Sequence, residues 1–364
     1  MPQINEDRRR RLRELLEQRE LDAALVTEIH NVRYLTGFTG SNGALILPVD
    51  GDPVFATDGR YVEQGESETG LEPRLVKGPL PPRLPPLVVE AGVRRIGIET
   101  HDLTVDQAAA LREAARDGSL EFVGLDRAVE QLRTVKDDDE IAALREACEV
   151  STLALDQLVA GPILDRSERD LARELDNLML DFGAEAVGFD TILASGPNSS
   201  IPHHHPTSRA VQRGDLLKID FGARVRGYHA DCTRTFVVGA EPADWQRDIH
   251  AAVHAAQAVG LKHARPDADT RAIFDAVVAS LAPTGYGDKF VHGLGHGVGL
   301  LIHEDPFMGE THTGRLPDRT AITIEPGVYL PGLGGVRIED TLIVHADAPE
   351  ILTTASKDLK VIGE

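Results

Sequence analysis

Apolar residues recur at two spacings along the chain, and the balance between them shifts partway. Over residues 5–20, Leu12, Leu15 and Leu16 share one face of a 3.6-residue repeat, with Asn5 or Asp7 placed to cap it, so an amphipathic helix is expected. Ala23–Val26 is an apolar run of strand length. Gly43–Pro48 and residues 53–57 flank Asp50-Gly51, a hairpin pattern. Residues 95–99 read as a strand, 105–116 as a helix with an Ala-rich face, and 120–123 as another strand. This alternation predicts a small α/β domain over residues 1–126.

Beyond it the pattern changes. Residues 134–160 read as one long amphipathic helix, and the acidic cluster at residues 137–140 suits its N-terminus. Ser167 and Asp170 mark the start of a helix running to about Asp181. Strand-like runs follow (FDTILAS, LLKIDFGA, DCTRTFVVG), then helices near 242–262 and 268–281, then AITIEPGVYL and VRIEDTLIV. Helices grouped with hairpins, without βαβ repeats, predict an α+β second domain over residues 127–364.

Composition narrows the classes. At 364 residues, two domains are expected, and 41% hydrophobic with 27% charged residues excludes a disordered chain, a collagen or a simple coiled coil. No apolar run approaches the roughly 20 residues of a membrane span, and no apolar core follows the basic N-terminal residues, so neither membrane nor signal peptide is expected. A net charge of −21 repels nucleic acid and anionic lipid. The arginines at 8–11 alternate with Glu6, Asp7, Glu14 and Glu17 as a solvated helix face. Cys148 and Cys232 read as reduced thiols of a cytoplasmic protein.

Several common motifs fail. There is no G-x-x-x-x-G-K-[ST], the glycines at 293, 295, 297 and 299 lack dinucleotide-fingerprint spacing, and His303-Glu304 is followed by Phe307 where H-E-x-x-H needs histidine. One constellation succeeds. In LLKIDFGARVRGYHADCTRTFVV, a hairpin centred between Val225 and Arg226 sets Asp220 opposite Asp231. In ITIEPGVYLPGLGGVRIEDTLIV, a hairpin centred on Gly332 sets Glu325 opposite Glu339. Like charges facing each other destabilise a sheet, and buried acids need raised pKa values, basic partners or metal ions. Four carboxylates match two divalent cations in charge. His292, His296 and His303, in a glycine-rich stretch, and His203 could add imidazole. Oxygen-rich ligands with one imidazole suit Mn²⁺, Co²⁺, Fe²⁺ or Zn²⁺. His204 and His205 read as ordinary surface or core residues, Tyr34 and Arg60 as structural, Cys232 as packing, and Arg337 as a neutralising partner of Glu339 or Asp340.

At these residues the sequence resembles the pita-bread metallopeptidases, above all the Xaa-Pro dipeptidases (prolidases) and Xaa-Pro aminopeptidases. SGPNSSIPH, KIDFGARVRGYHADCTRTF, HGLGHGVGLLIHEDP, TIEPGVY and GVRIED occur in the family's order, and NVRYLTGFTGSNGALIL and TDGRY resemble its smaller domain. The resemblance implies a creatinase-like α/β domain followed by a pseudo-two-fold pita-bread catalytic domain. It implies two divalent metal ions, Mn²⁺ foremost, with Asp220 on one, Asp231 and Glu339 bridging, and His296 and Glu325 completing the second. Glu325 would assist a hydroxide held between them; His203, His292 and His303 would line the substrate site, the last two on the carbonyl, with Arg337 near the metals. The implied reaction is hydrolysis of the bond before proline, in Xaa-Pro dipeptides or, as the alternative, at the N-terminus of longer peptides. The implied partners are short proline-containing peptides and a second copy in a homodimer. A metal-free creatinase-like hydrolase and a non-catalytic peptide-binding relative would each lack ligands, and all five are present.

Overall fold

A computed structural model describes residues 2–363 apart from 91, 116, 117 and 119. The chain forms two compact units, Met1–Arg133 and Thr134–Glu364.

In the first unit, α1 (Pro2–Gln18) leads into β1 (Ala23–Val26), α2 (Ile29–Thr36) and the antiparallel pair β2 (Gly43–Pro48) and β3 (Val54–Thr57). Then come α3 (Val62–Thr69), β4 (Arg74–Leu75), α4 (Pro85–Glu90), β5 (Arg95–Ile98), α5 (Val105–Ala114), β6 (Glu121–Gly124) and α6 (Ala128–Thr134). Residue 116, the expected end of α5, lies outside the described residues. The strands make one sheet in the order β4-β3-β2-β1-β5-β6, with β1 parallel to β5. Leu84, Val88 and Leu111 pack with Ala23, Leu25, Ile46 and Ile96 of the sheet. Hydrophobic periodicity does not reveal α2, because its eight residues span barely two turns. Local chemistry makes it instead: the Glu28 side chain accepts from the Asn31 N–H, and Gly37, at φ 83°, ends it.

The second unit begins with α7 (Asp138–Ala160), four residues later than the sequence suggests. The acidic cluster stops the helix from starting sooner, since Asp137 and Glu140 form a reciprocal capping box at 3.0 and 2.9 Å. Ser167 caps α8 (Glu168–Asp181) as expected. After β7 (Ala186–Val187) and β8 (Ile192–Ser195) come β9 (Leu216–Phe221), β10 (Ala223–Val225), β11 (Tyr228–His229) and β12 (Cys232–Val238). A second set follows: α9 (Asp244–His263), α10 (Thr270–Leu281), β13 (Gly295–Gly297), β14 (Glu304–Met308), β15 (Ala321–Ile324), β16 (Gly327–Leu330), β17 (Gly334–Arg337), β18 (Asp340–Ile343), β19 (Glu350–Ile351) and β20 (Val361–Ile362). The larger sheets of this unit run β20-β12-β9-β8 and β14-β13-β15-β18-β19, and β16 pairs with β17. A helix pair and a hairpin-rich sheet thus occur twice in succession, the α+β arrangement expected. Ile249, Val253, Ile273 and Val277 on α9 and α10 bury against Ile322, Ile324 and Leu342. Each such side chain contributes about 1.5–3 kcal/mol of transfer free energy, which makes the sheet a firm base for the polar residues at its centre.

One expected register is corrected. Val225 pairs with Tyr228, leaving Arg226 and Gly227 as a two-residue turn with φ values of 50° and 82°. Positive φ at both positions is what a type I′ hairpin turn needs. The turn therefore centres one residue later than assumed, and Asp220 pairs with Thr233. Asp231, two residues from Thr233, lies diagonal to Asp220 on the same face, not opposite it. The other hairpin keeps the expected register. Ile324 pairs with Asp340 and Gly327 with Arg337, so Glu325 and Glu339 stand level across the gap between the two ladders.

Candidate metal centre

The two hairpins meet through their polar faces. The Glu339 N–H donates to the Thr233 carbonyl at 3.2 Å. The Thr233 hydroxyl donates to Glu339 Oε2 at 2.7 Å and accepts from Arg337 Nε at 3.0 Å. Alternation along the strand separates the two acids of GVRIED. Glu339 faces this centre, whereas Asp340 turns to Arg234 and Lys357, each at 2.7 Å.

His296 arrives from β13. The glycines beside it are needed because a Cβ at Gly295 would stand 2.1 Å from the Thr323 carbonyl oxygen. That close approach lets the His296 N–H donate to the Thr323 hydroxyl at 3.1 Å. His296 Nδ1 lies 3.0 Å from the Gly297 carbonyl, which can only accept, so Nδ1 carries the proton. The Nε2 lone pair then faces Asp231 at 3.5 Å and Glu325 at 3.6 Å. Donor atoms of Asp231, His296 and Glu339 all lie within 4.8 Å of one another.

A cavity of about 260 Å³ opens here, lined by Asp220, Asp231, His296, Glu325 and Glu339 together with His203, His303, Phe189, Ile302 and His205. Seven of the nine residues singled out in the sequence thus share one space. His292 and Arg337 are not on its lining. His292 Nε2 is 2.8 Å from the Tyr329 hydroxyl, and Arg337 Nη1 donates to that hydroxyl at 2.9 Å. Arg337 pairs with Asp220 at 2.5 Å and approaches Glu325 at 4.0 Å. It therefore neutralises Asp220, not Glu339 or Asp340 as the sequence suggested, because its strand position aims it across to β9. Thr233 and Tyr329 were missed. Thr233 could have been found from its i, i+2 relation to Asp231, but nothing local marks Tyr329.

The electrostatics follow from this crowding. Burial pushes the carboxyls of Asp231 and Glu339 well above the usual range, and repulsion within the cluster adds to it. Burial also raises Glu325, against the pull of His296 and Arg337. Burial and His296 lower His303 to about 4, and burial and Arg337 lower His292 to about 3, so both imidazoles are neutral near pH 7. One guanidinium serves three buried carboxylates and the half-buried Glu325, and Asp220 Oδ1 is buried without a hydrogen-bond partner. An orphaned oxygen, converging acids and a free imidazole lone pair fit divalent cations.

A second acidic group lies in the first unit, where donor atoms of Glu99, His101 and Glu130 also come within 4.8 Å. There both Glu99 oxygens are already used. Glu99 accepts from the N–H groups of Thr27 and Glu28 at 2.6 and 2.7 Å and from the Asn31 amide at 2.6 Å. His101 meets Glu130 at 2.7 Å. This is a hydrogen-bonded knot that ties β1, α2 and β5 together.

A mixed helix-and-sheet unit with a buried acid–imidazole centre has the make-up of a metal-dependent enzyme. Residues 142–346 match the model of metallopeptidase family M24, and residues 8–135 match that of the creatinase/prolidase N-terminal domain. The chain is 32% identical to an Xaa-Pro dipeptidase of Pyrococcus furiosus over 97% of its own length and 99% of the relative's. Its structure is similar to that of an Xaa-Pro dipeptidase from Bacillus anthracis, with a TM-score of 0.93, 34% identity, and 98% and 100% of the two chains covered. It is also similar to an X-Pro aminopeptidase from Thermotoga maritima MSB8, with a TM-score of 0.88, 34% identity, and 94% and 98% covered. The chain belongs to metallopeptidase family M24 and is an enzyme of the pita-bread prolidase group. Among the described residues, no helix is long and apolar enough to cross a membrane.

Proposed function

We propose that this enzyme hydrolyses the peptide bond before proline, foremost in Xaa-Pro dipeptides, with two divalent cations held by Asp220, Asp231, His296, Glu325 and Glu339. The observation that carries the proposal is the buried cluster itself: converging acids, one guanidinium and an orphaned Asp220 oxygen at the wall of a substrate-sized cavity. The dipeptidase names of the two relatives support the substrate class. Mn²⁺ is the first candidate cation, ahead of Co²⁺, Zn²⁺ and Fe²⁺. Two such cations acidify a water and polarise a carbonyl when bound.

The chain's own residues supply the rest. Asp231 and Glu339, from different hairpins, would help hold the cations, since their donor atoms converge with that of His296. Arg337 holds Asp220 from behind, and Thr233 fixes Glu339. Glu325 takes a proton from the attacking water and returns it to the leaving proline nitrogen, which, as a tertiary amide, carries none of its own. His303, neutral near pH 7, and His203 donate to the carbonyl oxygen as it gains charge. For His292 to touch that carbonyl it must leave Tyr329; while paired, it supports Arg337 through the phenol. Residence in the cytoplasm as a homodimer belongs to the same proposal, and the two buried free cysteines suit a reducing compartment.

A second reading is favoured by one observation, the likeness to the Thermotoga aminopeptidase. Metal-stripped enzyme, with and without Mn²⁺, separates the two on Ala-Pro and Ala-Pro-Ala. Metal-dependent cleavage of the dipeptide alone supports the dipeptidase. Release of alanine from the tripeptide supports the aminopeptidase. Metal-independent cleavage sinks both.

A further inference from the structure

His203 reaches the cavity on a segment with little regular structure of its own, between β8 and β9. All three histidines at 203–205 line the cavity, but their burial alternates: His203 and His205 are exposed, whereas His204 is buried. The burial of His204 is explained by Glu168, the first residue of α8, whose side chain is fully buried.

Each oxygen of Glu168 takes three donors. Oε1 accepts from the Ser195 N–H and hydroxyl, both at 2.8 Å, and from the Asn198 amide at 3.0 Å. Oε2 accepts from His204 Nε2 at 2.8 Å and from the Thr207 N–H and hydroxyl at 3.0 and 2.7 Å. One carboxylate thus clasps the start and the end of residues 195–207 and leaves Pro202 and His203 at the apex. Burial alone would raise its pKa, yet these donors hold it down to about 2. From the other side, Lys218 Nζ donates to the Ile201 and Pro202 carbonyls at 2.7 and 3.2 Å, and Arg337 Nη1 donates to the latter at 3.3 Å. The backbone entering His203 is therefore held at the cavity wall while Glu168 closes the loop behind it.

We infer that Glu168 is a positioning residue, which acts through the clasped 195–207 segment to set the His203 imidazole at the cavity. Glu168 does not itself line the cavity or touch the acid cluster; it meets the lining only through His204. The inference rests on the peptidase reading above only for the consequence in rate; the placement of His203 is a property of the chain alone.

Glu168→Gln keeps the shape but turns one acceptor oxygen into a donor facing three donors. In a double-mutant cycle on Ala-Pro, Glu168→Gln is expected to lower kcat on the order of 10- to 100-fold, with cation content unchanged. Added to His203→Ala, it is expected to cost nothing further, since both act on one group. The position of His203 is read independently of turnover by the NMR signals of its imidazole, which shift in Glu168→Gln while those of the remote His345 do not. Additive losses, or an unshifted His203 signal in folded Glu168→Gln, overturn the inference. If Glu168→Gln does not fold, Thr207→Val removes a single donor, and the same coupling or additivity decides. A wild-type enzyme inert on both peptides, with His203 still shifted by Glu168→Gln, overturns the peptidase reading and leaves the positioning role standing.

Discussion

Two groups of acids with a histidine, one in each unit, differ in what meets their oxygens. Around Glu99, backbone N–H groups and an asparagine amide fill the acceptor positions. Around Asp231 and Glu339, one hydroxyl, that of Thr233, donates to Glu339, and the other neighbours are acids, an imidazole lone pair and one arginine shared by the cluster. The first group uses its acceptor oxygens to hold loops together. The second keeps coordination positions open at a cost in stability, as active sites commonly do. Buried acid is therefore a poor marker of a metal centre; unsatisfied buried acid is a better one.

Substitution in the two groups gives the widest expected separation. Glu339→Gln or Asp231→Asn should lower turnover by roughly 10³-fold or more, the loss of several kcal/mol of transition-state stabilisation, while circular dichroism stays near wild type. Glu99→Gln should leave turnover per folded molecule unchanged. Equal inactivity in both would erase the distinction.

Next in size is His303→Ala. Its ring meets that of His296 edge-on, with centroids 4.4 Å apart, and it faces the cavity without lying in the acid cluster. Turnover should fall about 10²-fold with cation content nearly intact. Parallel loss of both would make His303 a support for His296 instead.

Gly295→Ala tests how the imidazole reaches the acids. Its Cβ would meet the Thr323 carbonyl, and the strand must shift to relieve the clash. Destabilisation of about 1–3 kcal/mol and weaker cation binding are expected in denaturation and dialysis experiments. Unchanged binding would show that His296 is dispensable to the centre.

How far this was legible from sequence depends on the range of the interactions involved. The hairpin acids stand out because strand alternation and a Pro/Gly turn are local signals. The hairpin around Gly332 kept its register because Leu330 and Gly334 close a symmetric turn. The other slipped because the choice of Arg226-Gly227 as turn residues depends on φ values that the pattern does not display. Glu168 carries no sequence signal beyond its place in the first turn of a capped helix. Its donors come from residues 27 to 39 positions away, which no periodicity reports. Likewise the Tyr329–Arg337–Asp220 chain joins residues from both hairpins and exists only after they pack.

The smallest predicted effect is on pH dependence in the first unit. Burial, with repulsion from Glu130, raises Glu99 to about 8 against the pull of its backbone donors. The native state then keeps a proton that the unfolded chain gives up near 4.5, so stability falls as pH rises between those values. Urea denaturation at roughly pH 5 and roughly pH 8 should show a loss of order 1–3 kcal/mol that Glu99→Gln largely removes. An equally steep loss in the variant would place the titrating group elsewhere.

The central claim is that the cluster holding Asp231 and Glu339 is a two-cation centre. Cation content after equilibrium dialysis against Mn²⁺, measured by mass spectrometry on wild type, Glu339→Gln and Glu99→Gln, tests it most directly. The account predicts about two cations per chain in wild type and Glu99→Gln, and a clear loss in Glu339→Gln. A wild type that binds none, or a Glu339→Gln variant that keeps its full complement, would contradict it.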